Sequence, residues 1–175
     1  MKRGIIMSSC AFLSACAGGI QGADYATLQP SFVLEDFFQG NIKAWGIVQD
    51  RSGRVVTRFD AELVGTWEGK KGVLREVFHY YDGPKKQYRT WHITKHDDMR
   101  YTGVAGDIVG QAQGTAHGNA IHWTYVMDVP VDESVYRLTF DDWMWAMRDG
   151  VVINRSYLKK FGITFAELTL FMQKQ

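Results

Sequence analysis

Between residues 43 and 173 the chain is written as about ten short apolar and aromatic segments, interrupted by turn residues roughly every ten positions, and this punctuation leaves few folds open. The clearest segment is 54–67: Val55, Phe59, Ala61, Leu63 and Trp67 share one parity, while Arg54, Arg58, Asp60 and Glu62 share the other. Side chains on a strand alternate between faces, so this segment buries one face and wets the other. Further segments are read at 43–50, 73–81, 87–95, 99–104, 107–116, 120–129, 135–148, 151–157 and 163–173. Their separators are turn formers, among them Arg51-Ser52-Gly53, Asp82-Gly83-Pro84, Gly118-Asn119 and Asp149-Gly150. Short links between successive strands build an antiparallel meander, and an open sheet of that width would expose two long edges that closure removes. The expected fold is all-β, an antiparallel up-and-down barrel of about 8–10 strands. Its lumen is filled by side chains or holds one small ligand.

Two stretches depart from the strand pattern. Leu34 to Gly40 reads as a short N-terminal helical turn ended by glycine, with Phe37 and Phe38 placed to plug something apolar. Tyr157 to Gly162 reads as a second short helix.

Several strands set a charge among large aromatic rings on the face expected to point inward. Leu74, Glu76, Phe78 and Tyr80 share a parity, as do Arg89, Trp91 and Ile93. A four-residue loop over 83–86 puts Tyr80 opposite Arg89 and Phe78 opposite Trp91, with Glu76 opposite Ile93. A two-residue Asp149-Gly150 turn puts Asp142 opposite Tyr157 and diagonal to Arg155. The lumen would then hold Glu76, Arg89, Asp142 and Arg155 beside aromatic rings. Buried charges must pair or await a polar ligand group. They therefore mark either a binding cavity or internal ion pairs that close the barrel. Trp123 and Tyr125, with Trp143 and Trp145, form either a ligand wall or an aromatic core. Asp141 and Asp142 are adjacent, so they face opposite sides and one lies at the surface.

Much chemistry is excluded. His92 and His96 share a face but have no third ligand at a recognisable spacing, so no metal site is expected. Phosphate-loop, dinucleotide and Ser-nucleophile motifs are absent, and neither a catalytic residue nor a cofactor is assigned. Lys and Arg number 20 against 19 Asp and Glu, a balance that does not favour nucleic acid.

The N-terminus fixes location. Met1-Lys2-Arg3 precedes an apolar run over 4–15, too short for the roughly 20 residues that span a bilayer, and suited to a signal peptide. Leu13-Ser14-Ala15-Cys16 resembles the lipobox of bacterial lipoproteins, which implies cleavage before Cys16 and acylation of its thiol. Multiple acyl chains make membrane residence stable. Ala17 at the next position implies the outer membrane, with the domain facing the periplasm. The reading is a signal peptide over 1–15, a lipidated tether over 16–30 and a single barrel domain over 31–175. With Cys10 in the leader and Cys16 acylated, no thiol remains for a disulfide.

Phe37-Phe38-Gln39-Gly40, the run Ala44-Trp45-Gly46-Ile47-Val48-Gln49-Asp50-Arg51-Ser52-Gly53, Phe140-Asp141-Asp142-Trp143-Met144-Trp145, Asn154-Arg155-Ser156 and Lys160-Phe161-Gly162 resemble an uncharacterised family of proteobacterial lipoproteins, a domain of unknown function with a lipocalin-like outline. The resemblance spans nearly the whole mature domain. It implies a lipid ligand, because members are encoded near enzymes that modify fatty acyl chains. Against lipocalins themselves, Gly40 and Trp45 stand five apart, where those proteins show glycine, one residue and tryptophan.

The leading expectation is a passive lipid or fatty acid binder whose chain lies against Trp45, Phe59, Phe78, Trp91 and Trp123, with Arg89 or Arg155 meeting the head group. An isomerase or cyclase acting on an acyl chain, with Glu76 or Asp142 as general base, is the first alternative. A filled, ligand-free module for envelope assembly is the second.

Overall fold

The computed structural model describes residues 19–83, 86–131 and 133–175. The expected signal peptide over 1–15 and Cys16 lie outside the described residues. Ten strands close into one barrel: β1 (Gly40–Asp50), β2 (Val55–Glu68), β3 (Lys71–Tyr80), β4 (Lys86–Lys95), β5 (Arg100–Val104), β6 (Ile108–His117), β7 (Ala120–Val131), β8 (Ser134–Ala146), β9 (Val151–Lys160) and β10 (Ile163–Lys174). Each strand pairs antiparallel with its neighbours in sequence, and β1 pairs with β10 to complete the cylinder. Every expected strand is present, because an alternating face recurs at each of them.

One end is stoppered. Helix α1 (Leu34–Phe38) enters β1 directly and turns Leu34, Phe37 and Phe38 into the core. Gly40 ends it at φ 91°, a conformation that glycine adopts freely. Glu35 clamps the stopper to the wall: Lys95 Nζ lies 2.5 Å from Oε1, and the Tyr101 hydroxyl donates to Oε2 at 3.0 Å. Burial raises the Glu35 pKa, but the hydrogen bonds from Lys95 and Tyr101 outweigh it and hold the carboxyl below its ordinary value. Gly65 on β2 leaves room for the Phe38 carbonyl, since a Cβ there would stand 1.6 Å from that oxygen. At the opposite end Met127, Leu138, Phe140 and Leu158 form a second apolar cluster.

The segment before α1 lies against the outside of the barrel. A 3-10 turn over Gly22–Tyr25 sets the Tyr25 ring 5.7 Å from that of Trp143 and 6.0 Å from that of Trp145. Trp143 is only 3% exposed although it points away from the lumen.

The second helix read from the sequence is absent. β9 runs through to Lys160, and Phe161 and Gly162 form a two-residue hairpin turn with φ of 51° and 77°. Positive φ at both central positions is the type I′ pattern of a two-residue hairpin. Phe161 fills one of them, and a bulky residue carries no such signal in sequence.

Candidate functional site

Between the stopper and the second cluster the barrel holds a cavity of about 100 Å³. Its wall is largely apolar, with Leu34 and Phe38 at the stoppered end and Leu63, Leu74, Trp91 and Leu170 around it. A water occupies roughly 10–15 Å³ on this kind of measure, so the space takes several waters or a short apolar group. Glu76, Arg89, Asp142, Asn154 and Ser156 supply the polar groups.

Glu76 on β3 stands opposite Arg89 on β4. The Glu76 Oε2 lies 3.6 Å from Arg89 Nη1, within ion-pair range but beyond hydrogen-bond reach, and that oxygen is buried without a hydrogen bond among the described residues. Arg89 is turned toward Asp107 in the β5–β6 connection: Nε reaches its two oxygens at 2.9 and 3.2 Å, and Nη2 lies 2.7 Å from Oδ2. The guanidinium also covers the Phe78 ring at 5.3 Å. Burial disfavours the charge on Arg89, but Glu76 and Asp107 outweigh it and keep the side chain cationic. Burial pushes the Glu76 carboxyl up to about 7, with Arg89 pulling the other way.

Across the lumen Asp142 on β8 accepts hydrogen bonds from Asn154, from the Ser156 hydroxyl at 2.6 Å and, more loosely, from the Tyr125 hydroxyl at 3.5 Å. Asn154 also donates to the Trp143 carbonyl at 2.8 Å. Burial raises the Asp142 pKa despite the hydrogen bonds from Ser156 and Asn154. The same burial raises the Tyr125 hydroxyl well above its usual range.

Of the residues read from the sequence, Glu76, Phe78, Arg89, Trp91, Trp123, Tyr125 and Asp142 line this one cavity. Phe59 points inward but stands behind it, its ring 5.5 Å from each of Phe78 and Tyr80. Two residues are corrected. Trp45 is on the outer face, 41% exposed, with its ring 5.8 Å from that of Phe171. Its neighbour Ala44 takes the inward parity on β1. Arg155 also points outward and pairs with Glu167 at 2.5 Å.

Arg155 was misplaced because the expected register is off by one. Met147 N–H donates to the Val151 carbonyl, so the turn holds three residues, with Asp149 and Gly150 both at positive φ. A one-residue shift exchanges the faces of a strand. Asp142 therefore meets Ser156 instead of Tyr157, and Asn154 and Ser156 take the inward places expected of Arg155 and Tyr157. The β3–β4 register is corrected as well. His79 pairs with Lys86, which lengthens the connection by two residues, keeps the faces, and moves Arg89 from opposite Tyr80 to opposite Glu76. The aromatic strip divides: Trp123 and Tyr125 face the cavity, while Trp143 and Trp145 face out beneath Tyr25. Asp141 is the outward acid of its pair, accepting from Trp143 Nε1 at 3.1 Å and approached by His122 at 2.8 Å.

Fold and site together define a closed, up-and-down, lipocalin-like barrel with a small internal cavity and a few buried polar groups on its wall. The chain belongs to a family described as "Protein of unknown function (DUF3833)", whose sequence profile matches residues 10–174. No curated protein matches it. Among solved structures it is similar to the S-type phycobiliprotein lyase CPES from Guillardia theta, with a TM-score of 0.56 over 82% of this chain and 94% of that one. At 10% identity that likeness is one of fold.

Proposed function

We propose that the barrel holds part of a lipid, an amphiphile whose polar end meets the Glu76 side of the lumen and whose first carbons lie against Trp91, Leu63 and Leu170. One observation carries this reading: Glu76 is buried at the wall of a largely apolar cavity with an oxygen that has no hydrogen bond among the described residues. A core needs no such group, whereas a binding site uses a few placed polar groups in an apolar pocket. The cavity is short for a complete acyl chain, so the remainder leaves past Phe38 or past the second cluster. A fatty acid fits this scheme as its neutral acid, because Arg89 is already engaged by Asp107. With the lipobox at Cys16, the protein works as an outer-membrane lipoprotein facing the periplasm, within reach of such ligands.

Native mass spectrometry of the mature protein extracted mildly from its own envelope tests both parts. A diacylglyceryl adduct on Cys16 and a co-purifying lipid support the reading. A bare barrel that also fails to bind an added neutral apolar dye removes it in favour of a filled module.

A second reading is favoured by the Glu76 carboxyl itself, which is held near neutral pH inside the cavity as a general base requires. Here the lipid is a substrate for proton abstraction. The discriminating experiment is lipid mass spectrometry after incubation with the wild type and with Glu76→Gln. A binder returns the lipid unchanged from both, and an enzyme returns an isomer from the wild type alone.

A further inference from the structure

We propose that the polar end of the lumen's occupant is a hydrogen-bond donor, preferentially an ammonium, and that Glu76 receives it. This rests on the ligand-holding reading above and narrows it to a class of head group.

The charge inventory of the lumen carries the argument. Arg89 is the single cation among the cavity-lining residues, and it faces the carboxylates Glu76 and Asp142, with Asp107 behind it. Its Nε and Nη2 are taken by Asp107, and the remaining nitrogen, Nη1, lies 3.6 Å from Glu76 Oε2, so an incoming carboxylate would compete with Glu76 for it. The donors on the Asp142 side are also committed, since Asn154 and Ser156 both point at that carboxylate. What the wall leaves open is an acceptor. Glu76 Oε2 is buried and lacks a hydrogen bond, on a residue only 9% exposed.

A carboxylate entering this space would bring a third negative charge toward two buried ones and an acceptor toward an acceptor, which low dielectric penalises heavily. An ammonium brings up to three donors and the opposite sign. One would satisfy Oε2. An alcohol or amide supplies the hydrogen bond without the charge and ranks between.

The test uses three probes that share one chain and differ only in the head: octylamine, 1-octanol and octanoate. Each is titrated against the full chain carrying the neutral fluorophore N-phenyl-1-naphthylamine, at pH 8, in the wild type and in Glu76→Gln. The expected order is octylamine before octanol before octanoate, with about a tenfold gap between the first and the last. Glu76→Gln should close that gap to about twofold. Octanoate displacing as well as octylamine overturns the inference and leaves the lipid-holding reading standing. An unaltered gap in a folded Glu76→Gln overturns the assignment to Glu76. Dye that neither binds nor is displaced by any probe removes the parent reading, and this one with it. Should Glu76→Gln fail to fold, the wild-type order alone still decides the sign.

Discussion

Glu76 and Arg89 face each other across β3 and β4 at 3.6 Å, yet the guanidinium gives its hydrogen bonds to Asp107 and leaves the Glu76 oxygen unsatisfied. Arg89 is thus the hub of a three-member network in which Glu76 is buried and Asp107 is about a quarter exposed, and its removal leaves both carboxylates without their cation. Breaking a buried ion pair by deleting one partner costs about 3–5 kcal/mol. Arg89→Met should lower unfolding stability by the low end of that range or slightly less, about 2–3 kcal/mol, in urea at pH 7, because water screens the part-exposed Asp107. The loss should shrink at pH 5, where Glu76 is neutral. Wild-type stability in this variant would show that the network is not formed.

Stability should fall with rising pH through the range that Glu76 controls. Its carboxyl titrates near 4.5 in the unfolded chain and at about 7 when folded, so between those values the folded state holds the extra proton. The contribution is fully present below about pH 4.5 and lost as pH climbs toward 7. The groups facing Glu76 are Arg89 opposite, Asp107 behind it, and Tyr125 and Asp142 across the lumen. Asp142, also raised, acts with the same sign. His117, whose pKa burial lowers, acts against them as pH drops. Comparing wild type with Glu76→Gln isolates one term. The variant should lack about 2 kcal/mol of the decline between pH 5 and 7.5 in urea titrations.

How much of this was legible beforehand depended on which contacts are local. The alternation that defines each strand is carried by residues two apart, so Phe59, Ala61 and Leu63 announced β2 directly. Face parity within a strand was legible for the same reason, which is why Glu76, Phe78, Arg89 and Trp91 were each assigned to the inner face. Register was not, because it is set by the length of the turn. Asp149-Gly150 looks like a two-residue turn, but Arg148 joins it, and that one residue hides Asn154 and Ser156 and misplaces Arg155. Trp45 failed differently. Its size argued for burial, while its strand parity, shared with the polar Lys43, argued for the outside. Parity was the better guide.

Those two corrected residues provide a control. Trp45 and Arg155 lie on the outer wall, so Trp45→Ala and Arg155→Met should leave dye and probe affinity within about twofold of wild type. The Arg155–Glu167 pair is half exposed, and such pairs contribute about 0–1 kcal/mol. A tenfold loss of affinity in either variant, measured by the same displacement titration, would place the binding surface outside the barrel.

Asp142 organises one side of the cavity and should be less tolerant than its outward-facing, part-buried neighbour Asp141. In Asp142→Ala the Asn154 amide and the Ser156 hydroxyl lose a shared acceptor deep in the wall. A buried group left unsatisfied costs about 1–3 kcal/mol, so the expected loss is about 2–4 kcal/mol in denaturant unfolding. Asp142→Asn keeps one acceptor oxygen for both donors and should recover most of it. Equal losses in the two variants would mean that the charge, not the acceptor, matters.

The stopper gives the last prediction, because the same contacts that close the barrel also set the size of its cavity. Phe38 lines the lumen while its carbonyl rests over Gly65, where no side chain is tolerated. Gly65→Ala drives a methyl into that carbonyl, and since backbone cannot yield as a side-chain tip does, α1 must lift. Overpacking of this kind costs about 1–3 kcal/mol. Phe38→Ala opens the lumen from within, at about 3–5 kcal/mol, without moving the helix. Both variants should admit the neutral dye more readily than wild type, but by different routes. Lifting α1 pulls Glu35 away from Lys95 and Tyr101, so hydrogen exchange at Leu34–Phe38 should accelerate in Gly65→Ala and stay slow in Phe38→Ala. Slow exchange with unchanged dye uptake in Gly65→Ala would show that the stopper does not depend on that close approach.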